Sequence, residues 1–293
     1  MCIANSLIIL QMRHSRQNTL AGYRYVSLRP FWRFIIKHVT LLKITHDNLT
    51  ESNMSERPYN HIFDAHWQLY QTILREDYMG HQSIYGVLQN YLAEYVGAAS
   101  ESSLAFLDIG SGDAQVISQH VQSIHIKTYT AIDLSADALV FAEQNLATLE
   151  CELELLQCDF VQGVADLITA GRQFDVIFTG FALHHLQDND KALMFNNLRQ
   201  LISHNGVLLY IDVCRREGES RDDYLERYLT PTWSHWHALD DAQTELLNQH
   251  VRSSDFPASR SLLESMAAQA GFTHCKCLLE DDEHANILLA MHG

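Results

Sequence analysis

The sequence predicts an α/β fold with a mostly parallel sheet and helices on both of its faces, and three observations carry that expectation. Four short apolar runs, residues 104–108, 128–133, 152–157 and 174–179, alternate with helical patterns, the rhythm of repeated βαβ units. Acids recur where these runs end: Asp108, Asp133 and, two residues beyond the third run, Asp159. Gly110 and Gly112 turn the first run sharply into a helix that begins at Asp113.

Taken in order, residues 1–53 read as a basic, poorly ordered extension. They hold seven of the chain's 20 Lys/Arg but only two of its 36 Asp/Glu. Their short apolar run precedes the basic residues, the reverse of a secretory leader. Residues 31–42 have the composition of a basic amphipathic helix, which would suit a membrane surface. The working protein is expected to start near Met54 with a helical segment, 54–103. It is rich in aromatics, and its apolar stripe includes Tyr85, Leu88, Leu92 and Tyr95 at helical spacing, so it should pack on the sheet domain. The aromatics of residues 59–70 are better candidates for closing a binding pocket.

The sheet domain, 104–293, then alternates. Ser135 should cap a helix reaching about Leu149, with Asp137 in its first turn. A shorter helix spans 160–170 and stops at Gly171. Another covers 191–203, with Leu193, Leu198 and Leu201 on its apolar face, before a central strand at 207–213. Residues 215–260, between the fifth strand and the last helix, are polar and largely helical, far longer than the roughly 2–6 residues of an ordinary βα connection. They read as a lid carrying Trp233 and Trp236, or else as surface decoration or an oligomer contact. A helix at 262–270 and two apolar runs joined by the acidic turn 280–283 end the chain, and those runs should pair antiparallel.

Composition narrows the function classes. Beyond residue 53 the chain has 13 Lys/Arg against 34 Asp/Glu, a net −21, which repels phosphate backbones and argues against a duplex nucleic acid held by broad electrostatics. The six cysteines contain no Cys-x-x-Cys pair, and Cys275-Lys-Cys277 has the wrong spacing for a zinc knuckle. They read as reduced thiols in a cytoplasmic protein. No apolar run approaches the roughly 18 residues of a transmembrane helix.

The acids point to a nucleoside ligand. Asp108 and Asp133 are 25 residues apart, room for one helix and one strand, so both should reach the carboxyl edge of adjacent parallel strands. An acid after the second strand can accept both hydroxyls of a ribose, and Asp159 would meet an adenine amino group. A nicotinamide fold is disfavoured because Gln115 stands where its third glycine packs helix against strand.

On these residues the chain from about Leu104 onward resembles the class I S-adenosylmethionine-dependent methyltransferases of the small-molecule type. The resemblance implies a Rossmann-like seven-stranded sheet with its last strand antiparallel, and S-adenosylmethionine as cofactor. It places Asp108, Gly110 and Gly112 at the methionine part, Asp133 with Leu134 at the ribose, Asp159 with Phe160 at the adenine, and Thr179 and Gly180 at the methionine end. The family often has a third glycine where this chain has Asp113. It also implies that the N-terminal helices fold over the cofactor and close a pocket for a small-molecule acceptor. A protein acceptor and a non-catalytic binding module stay open as alternatives.

A methyl group on a sulfonium is already activated, so the enzyme's main tasks are alignment and exclusion of water. His184 or His185 would serve as base where the acceptor must lose a proton, but the sequence assigns no catalytic residue. No metal is expected: His184, His185 and Asp188 are neighbours whose adjacent rings should diverge, and the same holds for His235 and His237 around Trp236. Thr179-Gly-Phe-Ala182 stands where amino-directed DNA methyltransferases have a Pro-Pro element.

Overall fold

The computed structural model of the protein describes residues 60–98 and 103–293. The expectations for residues 1–53 lie outside the described residues.

Seven strands form a continuous sheet: β1 (Leu104–Ile109), β2 (Ile126–Asp133), β3 (Glu152–Gln157), β4 (Phe174–Gly180), β5 (Ile202–Arg215), β7 (His274–Asp281) and β8 (Asn286–His292), in the order β3-β2-β1-β4-β5-β8-β7. The first five pair in parallel, and β8 runs antiparallel between β5 and β7. The two-residue strand β6 (Ala258–Ser259) adds to β5 beside this path. The expected sheet is therefore observed, with one short strand more.

Its helices are α1 (Asn60–Arg75), α2 (His81–Ala98), α3 (Gln115–His120), α4 (Ala136–Leu146), α5 (Phe160–Thr169), α6 (Asp188–Leu201), α7 (Arg221–Ser234), α8 (Asp241–Ser254) and α9 (Arg260–Gln269). Alternation along the buried strands divides the core. Phe106, Tyr129, Phe178, Ile211 and Leu288 face a layer made by α1–α4, α7 and α8. Ile109, Ile132, Ile177, Tyr210 and Leu289 face α5, α6 and α9. Each such side chain, fully buried, contributes about 1.5–3 kcal/mol relative to exposure.

Local chemistry sets the helix ends. Ser135 caps α4 by accepting from Ala138 N at 3.2 Å, as expected, although the helix ends at Leu146. Asp159 caps α5 through Val161 N at 2.8 Å, and Asp240 with Gln243 forms a full capping box on α8. Leu193, expected on the apolar face of α6, is 57% exposed, whereas Leu198 and Leu201 are buried. The helix starts at Asp188, and its 3.6-residue turn puts Met194, Phe195, Leu198 and Leu201 on one stripe that excludes Leu193.

The 215–260 segment folds as α7 and α8, both packed in the same layer as α1 and α2. Trp236, buried, stacks on Tyr78 at 4.8 Å and 7°, and the Tyr78 hydroxyl accepts from Ala238 N at 2.8 Å. Arg221 donates to the carbonyls of Asp255 and Arg252 at 2.7 and 2.6 Å, binding the two ends of the insertion together.

Candidate functional site

The strand order reverses between β1 and β4, whose neighbours lie on opposite sides, and in open α/β sheets ligands bind outside the carboxyl ends of the strands at such a point. A cavity opens there. Its floor is the loop 110–114 after β1 with the first turn of α3, Gly180 at the end of β4, Phe181 after it, and Val213 of β5; its cover is Tyr70 and Ile73 of α1, His81 and Tyr85 of α2, Tyr228 of α7 and Leu247, His250 and Val251 of α8.

The loop is held in an alternating conformation. Gly110, Gly112 and Ala114 have φ of 66°, 61° and 52°, the left-handed region that costs a residue with a Cβ extra energy. A Cβ on Gly110 would lie 2.7 Å from the Cβ of Ala182, so this glycine lets the loop close on the β4 turn. Gly180 is confined by the Tyr85 hydroxyl and the Phe178 ring, each 2.8 Å from where its Cβ would be. Helix α3, expected as the helix after the glycine turn, has only six residues.

The acids divide into two kinds. Asp108 and Asp113 line the cavity and are buried. Burial raises the Asp108 carboxyl to about 7, with Asp133 and Asp113 adding to the rise, while a 2.7 Å hydrogen bond from Tyr129 opposes it. Burial also raises Asp113, whose Oδ2 accepts no hydrogen bond from the protein. Asp133 is different: Oδ2 accepts from Gly112 N at 2.9 Å and Oδ1 from Ser135 N at 2.8 Å, so the carboxylate pins the glycine loop to the end of β2. Asp159, half-buried beyond the next strand, caps α5.

Of the residues assigned from the sequence, the cavity wall contains Asp108, Gly110 and Gly112; Asp133, Leu134, Asp159 and Phe160 lie off it along the sheet edge toward β3. Thr179 does not reach it. Its register partners Ile109 and Tyr210 belong to the α5–α6 face, so alternation turns Thr179 away and leaves Gly180 on the wall. Among the aromatics of the N-terminal segment, Tyr70 lines the cavity but Trp67 stacks on Phe141 of α4 at 4.8 Å. Neither Trp233, 54% exposed, nor Trp236 contributes to the wall. Expected to close the pocket directly, Trp236 instead fastens α7 to the segment after α1.

At the far end of the cavity stand His184, His250 and Asp255. His184 is clamped by Asp212 of β5, which accepts from its main-chain N at 2.8 Å and from Nδ1 at 2.5 Å. Burial opposes charge on His184, but Asp212 and Asp255 outweigh it and raise its pKa. Burial, with His184 and His250 nearby, holds His185 well below its ordinary value. Asp255 is raised to about 6 by burial, an effect that His184 partly offsets. Phe256 N donates to the His184 carbonyl at 2.7 Å, which seats the end of the insertion against the histidine pair. The rings of His184 and His185, expected to diverge, lie 4.0 Å apart at 54° and share Asp255 as a neighbour, while Asp188 sits 3.9 Å from Lys191. The short helical turn Leu183–His185 folds both rings toward the insertion.

Sequence reasoning missed His81, Asp113, Asp212, His250 and Asp255. His81 is a cavity-wall imidazole that burial pushes down to about 3, so it is neutral near pH 7. An acid or histidine inside a 46-residue polar stretch gives no local sign of what it will face. The one available hint was the compact Ser-Ser-Asp-Phe-Pro run, 253–257, in an otherwise helical insertion.

Residues 107–208 match a family model described as a methyltransferase domain. The chain is also 27% identical over 135 residues to alpha N-terminal protein methyltransferase 1 of Arabidopsis thaliana, an alignment covering 45% of this chain and 47% of that protein. It thus spans about half the length of the curated relative it matches. Among solved structures it is similar to the plantazolicin methyltransferase BpumL in complex with SAH (TM-score 0.51, 12% identity, 76% of this chain and 88% of that one). It is similar, too, to a possible exported protein from Bordetella parapertussis (TM-score 0.50, 13% identity, 71% and 66%). The two solved structures show the fold.

The fold and the matched model define the class: residues 107–208 carry a methyltransferase domain, set in a Rossmann-like sheet of order β3-β2-β1-β4-β5-β8-β7. Its cofactor is S-adenosylmethionine, and the wall fits that ligand. Two buried carboxylates, one with an oxygen left without a hydrogen-bond partner, suit an ammonium and a sulfonium centre.

Proposed function

We propose that the protein transfers a methyl group from S-adenosylmethionine to a small-molecule acceptor held beneath α1, α2, α7 and α8. The observation that carries this reading is the cavity itself, which runs from the glycine loop to His184, His250 and Asp255 under four helices. A folded protein or an RNA would have to pass those helices to reach the loop. When bound, the cofactor supplies a methyl group activated by its sulfonium. Asp108 and Asp113 would hold the methionine end, Asp133 with Leu134 the ribose, and Asp159 with Phe160 the adenine side. Phe181, Tyr85 and Tyr228 line the space beyond and would exclude water from it. Neutral His81 and the His184–Asp212 pair stand where a proton could be taken from an acceptor.

A second reading is favoured by the Arabidopsis relative, named for methylation of protein α-amines: a flexible peptide terminus threads between helices where a folded domain does not. Five cysteines, 151, 158, 214, 275 and 277, are free thiols, which suits the reducing cytoplasm that we take as its location. Among the described residues no helix is long and apolar enough to cross a membrane.

Labelled-methyl transfer into a cell extract, separated into small-molecule, protein and RNA fractions, tests the proposal. Label in the small-molecule fraction is expected. Label confined to macromolecules refutes the small-molecule acceptor, and peptides with free or blocked α-amines then test the second reading.

A further inference from the structure

Three buried groups at the end of the cavity have more ligating capacity than the protein uses. Asp255 is 4% exposed, yet its Oδ1 accepts no hydrogen bond. Around that oxygen lie His184 Nε2 at 3.5 Å, His185 Nδ1 at 3.7 Å and His250 Nε2 at 4.0 Å. These separations are too long for hydrogen bonds. Lys191 acts on the carboxylate through its charge, as Arg221 does, but its Nζ donates to the carbonyls of Leu186 and Phe256 and leaves the oxygen without a hydrogen bond.

The two rings are oriented from behind. In its neutral form His184 gives its Nδ1 hydrogen to Asp212, which leaves Nε2 with a lone pair on the side of Asp255 for an ion to take in place of a proton. His185 Nδ1 is 3.1 Å from the Ser254 carbonyl oxygen, which can only accept, so the ring hydrogen sits there and Nε2 keeps its lone pair, buried and without a hydrogen-bond partner. A carboxylate or carbonyl behind an imidazole is the arrangement by which proteins fix a metal-binding histidine. One nitrogen from each ring and one oxygen of Asp255 all lie within 4.8 Å of one another. An ion bound at about 2.0–2.2 Å by nitrogen and oxygen sets its ligand atoms about 3.3 Å apart in a tetrahedron, close to the 3.5 Å between His184 and Asp255.

We propose that His184, His185 and Asp255 form a site for a single divalent transition-metal ion of the zinc or ferrous type. Two imidazoles and one carboxylate match the donor preference of these ions and not that of magnesium or calcium. His184 and Asp255 also line the cavity, so a remaining coordination position would face the space assigned to the acceptor. Holding an acceptor heteroatom there rests on the proposed methyl transfer; binding of the ion does not.

The test uses the full chain, stripped with a chelator, titrated with Zn2+ or Co2+ and desalted. About one equivalent should be retained, with visible Co2+ absorption bands of a low-symmetry nitrogen and oxygen site. Asp255→Asn and, separately, His185→Gln should abolish retention, and Asp212→Asn should weaken it by roughly 10–100-fold. Each variant is checked by circular dichroism and by S-adenosylmethionine binding, and the His185 variant serves if the Asp255 variant does not fold. Failure of the parent protein to retain either ion overturns the site, as does undiminished retention by a folded variant lacking one ligand. If the stripped protein still binds S-adenosylmethionine but no ion, the metal site alone is refuted.

Discussion

Replacing Asp133 by Ala separates two roles that one carboxylate combines. Its place after the second strand makes it the ribose acceptor in the proposed function, and the structure gives it structural work as well: Gly112 N and Ser135 N donate to its two oxygens at 2.9 and 2.8 Å. Hydrogen bonds to a charged group contribute roughly 1.5–3 kcal/mol each, and the two amides stranded by the substitution lie in a region only 2% exposed at Asp133. Even if water enters the vacated space, a loss of about 3 kcal/mol is expected, a large part of the roughly 5–15 kcal/mol by which domains are stable. In a domain of this size that corresponds to a fall in Tm of roughly 6–12 °C. Urea unfolding of cofactor-free protein measures it, with calorimetry of S-adenosylmethionine on the folded variant reading the ribose role separately, where more than about tenfold weaker binding is expected. Asp159→Ala is the comparison: it removes one helix cap, about 1 kcal/mol. If Asp133→Ala unfolds within about 0.5 kcal/mol of the parent, the carboxylate does not pin the loop and the reasoning fails.

The Asp108 carboxyl makes stability depend on pH. It takes up its proton at about 7 in the folded chain against 3.8 in the reference state, so between those values the folded state holds a proton that the unfolded state lacks. The stabilisation is fully present below pH 3.8 and is lost as pH rises through about 7, with a slope of at most about 1.4 kcal/mol per pH unit. Urea midpoints of the cofactor-free parent and of Asp108→Asn, compared from pH 5 to 8, should converge in slope only above neutrality; parallel profiles throughout would show that the group does not titrate there. Trp236→Ala removes the stack on Tyr78 and a buried ring, about 3 kcal/mol or more, and should speed amide exchange across α7 and α8, whereas Trp233→Ala, at a half-exposed position where the indole donates to Asn248 Oδ1 at 3.3 Å, should cost only about 1 kcal/mol. Unchanged exchange in the Trp236 variant would mean that other contacts fasten the insertion.

The strands, most helices and the acids at the sheet edge are determined by the sequence itself, because each rests on short-range physics. Apolar runs and 3.6-residue stripes record what one element must bury, and Ser135, Asp159 and Gly171 act within a few residues of themselves. The turn at Gly110 and Gly112 is legible for the same reason. What each acid does with its lone pairs is not. Nothing local tells that Asp133 spends both oxygens on backbone amides, one of them 21 residues away, or that Thr179 faces the other layer while Gly180 reaches the cavity. His184 and His185 were visible as a pair, but their character comes from Asp212, 28 residues on, and from the segment around Ser254, 69 residues beyond His185. Those partners arrive only when α7 and α8 fold back over the sheet and Phe256 bonds to the His184 carbonyl. A buried carboxylate among imidazoles is a property of that closure: burial and long-range contact create its chemistry, and a pattern read along the chain contains neither.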